Sequence, residues 1–324
     1  MLHRVSPMIL SGLLILGSTG LPAMAQEAQK VSAAPGADLF REGWKYDQGL
    51  GTSINISQAF RLYQKAAALG NPLAKGRLAR FYFSGNGVQS DEGQAARLAR
   101  DAFPGVLRAA QRNDAVAQMI VGTMYADGLG VARDSTEALH WLQKSADQNL
   151  PLAKANLGVV YENGRGVPMD ITEAVKRFRE AAAQNSAMGQ AYLGDLYHQG
   201  RGVQRDDVNA ARLYRLSADQ NFAHAQTNLG YLYEHGCGVE WNPCEAVRLY
   251  RLAAEQNLAV AQTNLGTMYE KGCGVRRDLN EAAKWYQRAA AQGDANAIEA
   301  LRSLASPTYY YYSYCRPRAT CWCR

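Results

Sequence analysis

A glycine-x-glycine step returns along this chain at a fixed interval. Gly49/Gly51, Gly85/Gly87, Gly128/Gly130, Gly164/Gly166, Gly200/Gly202, Gly236/Gly238 and Gly272/Gly274 follow one another every 36 residues, except that 43 separate the second step from the third. A period of that length belongs to a solenoid, in which each unit is one supersecondary element that buries its apolar face only against its neighbours. The 324 residues therefore read as one continuous array rather than two ordinary domains.

The unit from Pro151 to Gln184 shows how a repeat is built. Leu152, Ala153, Leu157, Gly158 and Tyr161 recur at the spacing of one helical face, which predicts a first helix, A. Gly158 falls in the middle of that helix, where it costs about 1 kcal/mol relative to alanine. The same cost recurs at Gly43, Gly122, Gly194, Gly230 and Gly266, so a second helix is expected to come too close for a Cβ. Gly164 suits the left-handed residue that closes a helix. Asp170 is then the natural N-cap of helix B, with Glu173 in the place of a capping-box acid. Asp91, Asp134, Asp206, Asp278 and Asn242 take the same role elsewhere. Phe178 faces helix A, and Trp141, Tyr214, Tyr250 and Tyr286 are read as its equivalents. At helical spacing beside small residues, these rings are core rather than a stacking platform. The glycine steps follow a helix and lack both the third glycine and the Lys-Ser/Thr ending of a phosphate loop, so they are helix-turn-helix joints.

Two irregularities interrupt the array. The seven surplus residues between the second and third steps lie around 101–107, where Pro104-Gly105 is expected to break or bend helix B. Residues Ala295 to Leu304 form half a unit, with Arg302 in the place of the packing glycine, as a capping helix requires.

The ends differ from the array. Arg4, the apolar run Ile9 to Leu16 and Ala23-Met24-Ala25 read as a signal peptide over 1–25, followed by a linker over 26–37. That predicts export to the periplasm or the medium with no stable membrane anchor, and an oxidising surrounding for the six cysteines. Cys237 and Cys244 flank one joint and are expected to form a local disulfide, while Cys273 has Cys315, Cys321 and Cys323 of the 306–324 tail within its choice of partners. The formal charge of +6 does not mark a nucleic-acid binder. Arg4 lies in the leading segment and Arg316, Arg318 and Arg324 in an acid-free tail, so +2 is left to the array, without the basic stripe that phosphate contacts need.

The pattern Ala-x-x-x-Leu-Gly-x-x-Tyr, then Gly-x-Gly-Val, then an aromatic followed by Ala-Ala, strongest over 153–182, 225–254 and 261–290, resembles the Sel-one-like repeat family, a relative of the tetratricopeptide repeat. The resemblance covers about 38–305. It implies an all-α, right-handed solenoid of about seven helix pairs plus a capping helix, acting as a non-enzymatic scaffold for a protein or peptide partner, with no cofactor or metal. By analogy with tetratricopeptide arrays, helix A lines the concave face. The positions that point there are Thr123, Val159, Asp195, Tyr231 and Thr267, then Ala126, Glu162, His198, Glu234 and Glu270. They vary from repeat to repeat over a constant scaffold, as a partner surface does. His198, Glu234, His235 and Glu270 are the one titratable cluster on this stripe. A cysteine-rich exported subgroup of the family is linked to penicillin binding and weak β-lactamase activity, which makes an envelope enzyme the alternative. Against it, the cysteines here are placed differently and no Ser-x-x-Lys motif occurs.

Overall fold

The computed structural model describes residues 34–165 and 167–305, so the expected signal peptide and the cysteine-bearing tail lie outside the described residues. Among the described residues there are fifteen helices and no strand. They form seven A/B pairs: α1 (Ala37–Gln48) with α2 (Ile56–Ala68), α3 (Pro72–Ser84) with α4 (Glu92–Gln111), α5 (Ala115–Asp127) with α6 (Ser135–Asp147), and α7 (Pro151–Asn163) with α8 (Ile171–Ala183). Then come α9 (Ala187–Gln199) with α10 (Asp207–Asp219), α11 (Ala223–His235) with α12 (Pro243–Glu255), and α13 (Ala259–Lys271) with α14 (Leu279–Ala290). The half unit is α15 (Ala295–Leu304). Each A helix packs on its own B, and each B on the next A, which is the solenoid the period requires.

The termini form as the local chemistry dictates. The carboxylates of Asp91, Asp134, Asp170, Asp206 and Asp278 and the amide of Asn242 accept backbone N–H groups in the first turn of their B helices. Glu173 does not reach back to complete a capping box; it turns outward to Lys176 and Arg177. The first glycine of each step closes helix A in the left-handed region, as Gly200 does at φ 68°. The second glycine has a different reason. A Cβ on Gly274 would lie 2.2 Å from the Pro243 carbonyl oxygen, and one on Gly238 would lie 2.3 Å from that of Asp207. At Gly87, Gly202, Gly238 and Gly274 the second glycine thus seats the joint on the first turn of the previous repeat's B helix, whereas Gly130 meets Ala99 inside α4.

The mid-helix glycines are required by close approach, with one correction to the partners. A Cβ would meet the ring of Tyr63 at Gly43, Phe178 at Gly158, Tyr214 at Gly194, Tyr250 at Gly230 and Tyr286 at Gly266, at 2.5–2.9 Å. At Gly122 the neighbour is Leu142, not Trp141. Trp141 is one position out of register, and its indole donates to Glu137 at 2.9 Å.

The insertion does not break helix B. α4 runs through Pro104 for 20 residues where most other helices have 13, so the surplus seven are two further turns that leave the buried face in phase. Ala95, Ala99, Ala102, Val106 and Ala110 all stay on that face. Because Pro104 is exposed, lacks the N–H that Arg100 would receive and crowds its carbonyl, Pro104→Ala is expected to stabilise the protein by about 1–2 kcal/mol. An upward shift of the urea midpoint checks this; an unchanged or lower midpoint contradicts it.

Small rotations between repeats accumulate until the array meets itself. The Ile54 N–H, in the first joint, donates to the Gln220 carbonyl at 2.9 Å, and the Asn221 carboxamide donates back to the Ile54 carbonyl at 2.8 Å. One repeat further on, Asn257 donates to the Val88 carbonyl at 3.3 Å. The loop of repeat n therefore docks on the junction that follows repeat n+4, and this closes one superhelical turn.

Candidate partner-binding lumen

That closure encloses an open cavity of about 560 Å³. Trp44, Arg77, Arg80, Phe81 and Thr123 line it from the A helices of the first three repeats, and Met188 and His224 face them from repeats five and six. A helices thus face the interior, as the resemblance implied. The electrostatics are paired. The Arg77 guanidinium donates twice to Asp47, at 2.6 and 3.0 Å, and lies 5.5 Å from the centres of both the Trp44 and Phe81 rings. Asp47 also accepts the Tyr63 hydroxyl at 2.9 Å, and burial, then this carboxylate, drives that hydroxyl well above the usual tyrosine range. Arg80 pairs with Asp127. Its side chain is 36% accessible, yet burial and then Arg77 bring its pKa down to about 10, because the surface it exposes opens onto the lumen rather than bulk water.

The residues expected to face a partner divide. Thr123 lines the cavity, with its hydroxyl on the Ile120 carbonyl at 2.8 Å. Val159 is half-buried against the Phe178 cluster. Asp195 accepts from the Tyr214 hydroxyl at 2.7 Å, from Asn228 at 2.8 Å and from His224 at 2.8 Å. Glu162 is held by Arg201 at 2.7 Å, and burial, with a further push from Asp195, keeps its carboxyl above the usual range. His198 meets Asp207 at 2.6 Å and sets its ring against Tyr231, which packs on His235. Glu234 accepts the Tyr250 hydroxyl at 2.8 Å, and Thr267 and Glu270 share that of Tyr286. A large part of this stripe thus serves the hydroxyls that the buried B-helix tyrosines bring to the edge of the core. His198, Glu234, His235 and Glu270 each have a separate partner, and among the described residues no group of three His, Cys, Asp or Glu could hold a metal.

The expected Cys237–Cys244 bridge is not formed. Cys244 is a free, exposed thiol at the start of α12, whereas Cys237 is fully buried among Tyr214, Leu229 and Leu232. The joint turns one side chain into the core and the other outward. The alternatives for Cys273 fall on residues outside those described.

A row of amides along the B-to-A junctions was missed by the sequence reading. Asn113, Asn149, Asn185, Asn221 and Asn257 all adopt the left-handed conformation, at φ 61–68°. Asparagine enters that region more readily than other side chains, and its return every 36 residues was the available signal. The oxygen of four of them is fixed by a glutamine five residues on: Gln118 donates to Asn113, Gln190 to Asn185, Gln226 to Asn221 and Gln262 to Asn257, at 2.8–3.3 Å, while Lys154 takes that place at Asn149, at 2.6 Å. Gln220, Gln256 and Gln292 join successive rungs by donating to Gln190, Gln226 and Gln262 at 2.7–2.8 Å.

Fold and lumen define a helix-turn-helix repeat protein of the solenoid class. More specifically, the Sel1 repeat model matches residues 43–71, 72–102, 115–150, 151–186, 187–222, 223–258 and 259–294, and the chain belongs to that family. It is similar to a solved Sel1 repeat protein from Oxalobacter formigenes, at 33% identity over 72% of this chain and 89% of that one, with a TM-score of 0.59. It is also similar to a protective antigen of uropathogenic Escherichia coli strains that displays an SLR fold, at 30% identity over 87% of this chain, with a TM-score of 0.50. The chain spans 59% of the length of that antigen. Yeast Tom70, at 12% identity over 84% of this chain and 64% of that one, with a TM-score of 0.51, shares the fold alone. Among curated proteins no sequence matches. Sel1 repeat proteins generally mediate protein–protein interaction, and among the described residues no helix is long and apolar enough to cross a membrane.

Proposed function

We propose that this chain is an exported scaffold that holds a protein or peptide partner inside the superhelical turn. The lumen carries the reading: a 560 Å³ space in which aromatic, cationic and amide groups from distant repeats converge, on a scaffold whose packing positions barely change. Mixed apolar and polar linings of this kind suit a partner segment rather than bulk solvent. The signal-like leader over 1–25 supports export to the periplasm or the medium.

Capture from native envelope and extracellular fractions tests the reading. Thr123→Arg, which places a long cation in the lumen, is expected to lose a partner that the unsubstituted protein retains. Val208→Arg, at a position 66% exposed on α10, is expected to keep it. Equal recovery by Thr123→Arg would remove the lumen as the site.

A further inference from the structure

The asparagine row reads backbone, and the chain displays the reading on itself. At the Gln220-Asn221 rung the guest residue is Ile54. Its N–H goes to a host carbonyl and its own carbonyl takes the host carboxamide, so both backbone polar groups of one residue are satisfied. Its side chain is buried, at 5% exposure. At the next rung the guest is Val88, again β-branched. Asn221 and Asn257 are half-buried under these guests, whereas Asn113, Asn149 and Asn185 are exposed. Among the described residues the Asn113 and Asn185 carboxamide nitrogens meet no acceptor. The oxygen of each is committed to a glutamine, so the nitrogen is the end presented outward. The register of docking explains the difference: rung 221 takes the loop of repeat one and rung 257 that of repeat two. Rung 185 would take the loop of a repeat before the first, and the described residues hold no such loop. Asn185 also borders the lumen.

We propose that rungs 113, 149 and 185 bind an extended segment of the partner through its main chain, one β-branched residue per rung. This inference rests on the scaffold reading above and names the chemistry of its partner. Successive rungs are about 9–10 Å apart by the usual spacing of packed helices. A polyproline II strand repeats every three residues, about 9.3 Å, and leaves its N–H and C=O groups unbonded. Every third residue of such a segment would meet a host Asn donor and the carbonyl of the residue before it.

The probe is a fluorescein-labelled nonapeptide of three isoleucine-proline-serine units, in which each isoleucine is biased to extended backbone by the proline after it, with binding read by anisotropy. Asn185→Asp keeps the acceptor for Gln190, tolerates the left-handed backbone and deletes the donor. Asn185→Gly keeps the backbone and deletes the whole group. Each is expected to weaken binding about tenfold, as is N-methylation of the central isoleucine. Thermal melts of both variants confirm that the fold persists. The inference is overturned if the unsubstituted protein binds no peptide, or if both Asn185 variants bind like it. Peptide binding that ignores Asn185 but is abolished by Thr123→Arg would leave the scaffold reading standing and remove backbone recognition. A dimer in sedimentation that Asn185→Asp dissolves would make a second copy the guest, and would overturn the peptide.

Discussion

Gly274→Ala is expected to destabilise the array by about 3–4 kcal/mol, whereas Gly51→Ala costs only about 1 kcal/mol. Both glycines sit second in their step, and both have positive φ, 69° and 71°. A Cβ therefore incurs the left-handed penalty of about 1–2 kcal/mol at either place. Around Gly51 no atom lies within 4 Å of the added carbon. At Gly274 the carbon would lie 2.2 Å from the Pro243 oxygen and 2.8 Å from the Cys244 nitrogen. Both are backbone of α12 and cannot swing aside, so the two repeats must separate, at an overpacking cost of about 1–3 kcal/mol. Urea unfolding read by circular dichroism distinguishes the two, with the slope compared between variants because repeat arrays lose cooperativity. Equal midpoints for the two variants would mean that the repeats do not touch through this glycine.

The contrast between these glycines shows what a sequence of this kind discloses. Helix ends were legible because capping acts over three or four residues, and Asp170 or Gly164 can be read beside the groups it caps. Gly158 and its equivalents were legible too, since a cost repeated at a fixed interval implies a fixed neighbour. The reason for Gly274 lies some 30 residues upstream, on the preceding repeat, and no local pattern points there. The length of α4 was misjudged by attending to Pro104, although a surplus of seven is two helical turns and keeps the phase of the buried face. Closure was beyond reach: contacts between Ile54 and Asn221 span 167 residues and depend on rotations summed over four junctions. The site suffered most from this. Without the closed turn, Arg77, Arg80 and Trp44 have no reason to converge with His224, and the variable stripe was read as the surface that meets a partner. In the structure, Asp195, Glu234 and Glu270 are engaged by buried tyrosines.

Asp195→Ala is accordingly expected to cost about 3 kcal/mol of stability, far beyond the usual effect at a merely solvent-facing position. The Tyr214 side chain is 1% exposed and its hydroxyl would be left without this acceptor, as would Asn228 and His224. The same carboxylate makes stability depend on pH. Burial pulls the His224 pKa down, but the hydrogen bond and charge of Asp195 more than offset it and carry it above the ordinary value. A group whose folded-state pKa is raised contributes its full stabilisation below the unfolded value of about 6.5 and loses it as pH rises through the folded-state value. The urea midpoint of the unsubstituted protein is therefore expected to fall from pH 6 towards pH 9 through this pair, and that component is expected to vanish in both His224→Gln and Asp195→Ala. A fall of the same size in His224→Gln would place its origin elsewhere. Because His224 borders the lumen opposite Arg77 and Arg80, the protonation that tightens the fold also adds positive charge to the space proposed for the partner. An acidic partner segment would then be held more tightly on the acid side of the transition.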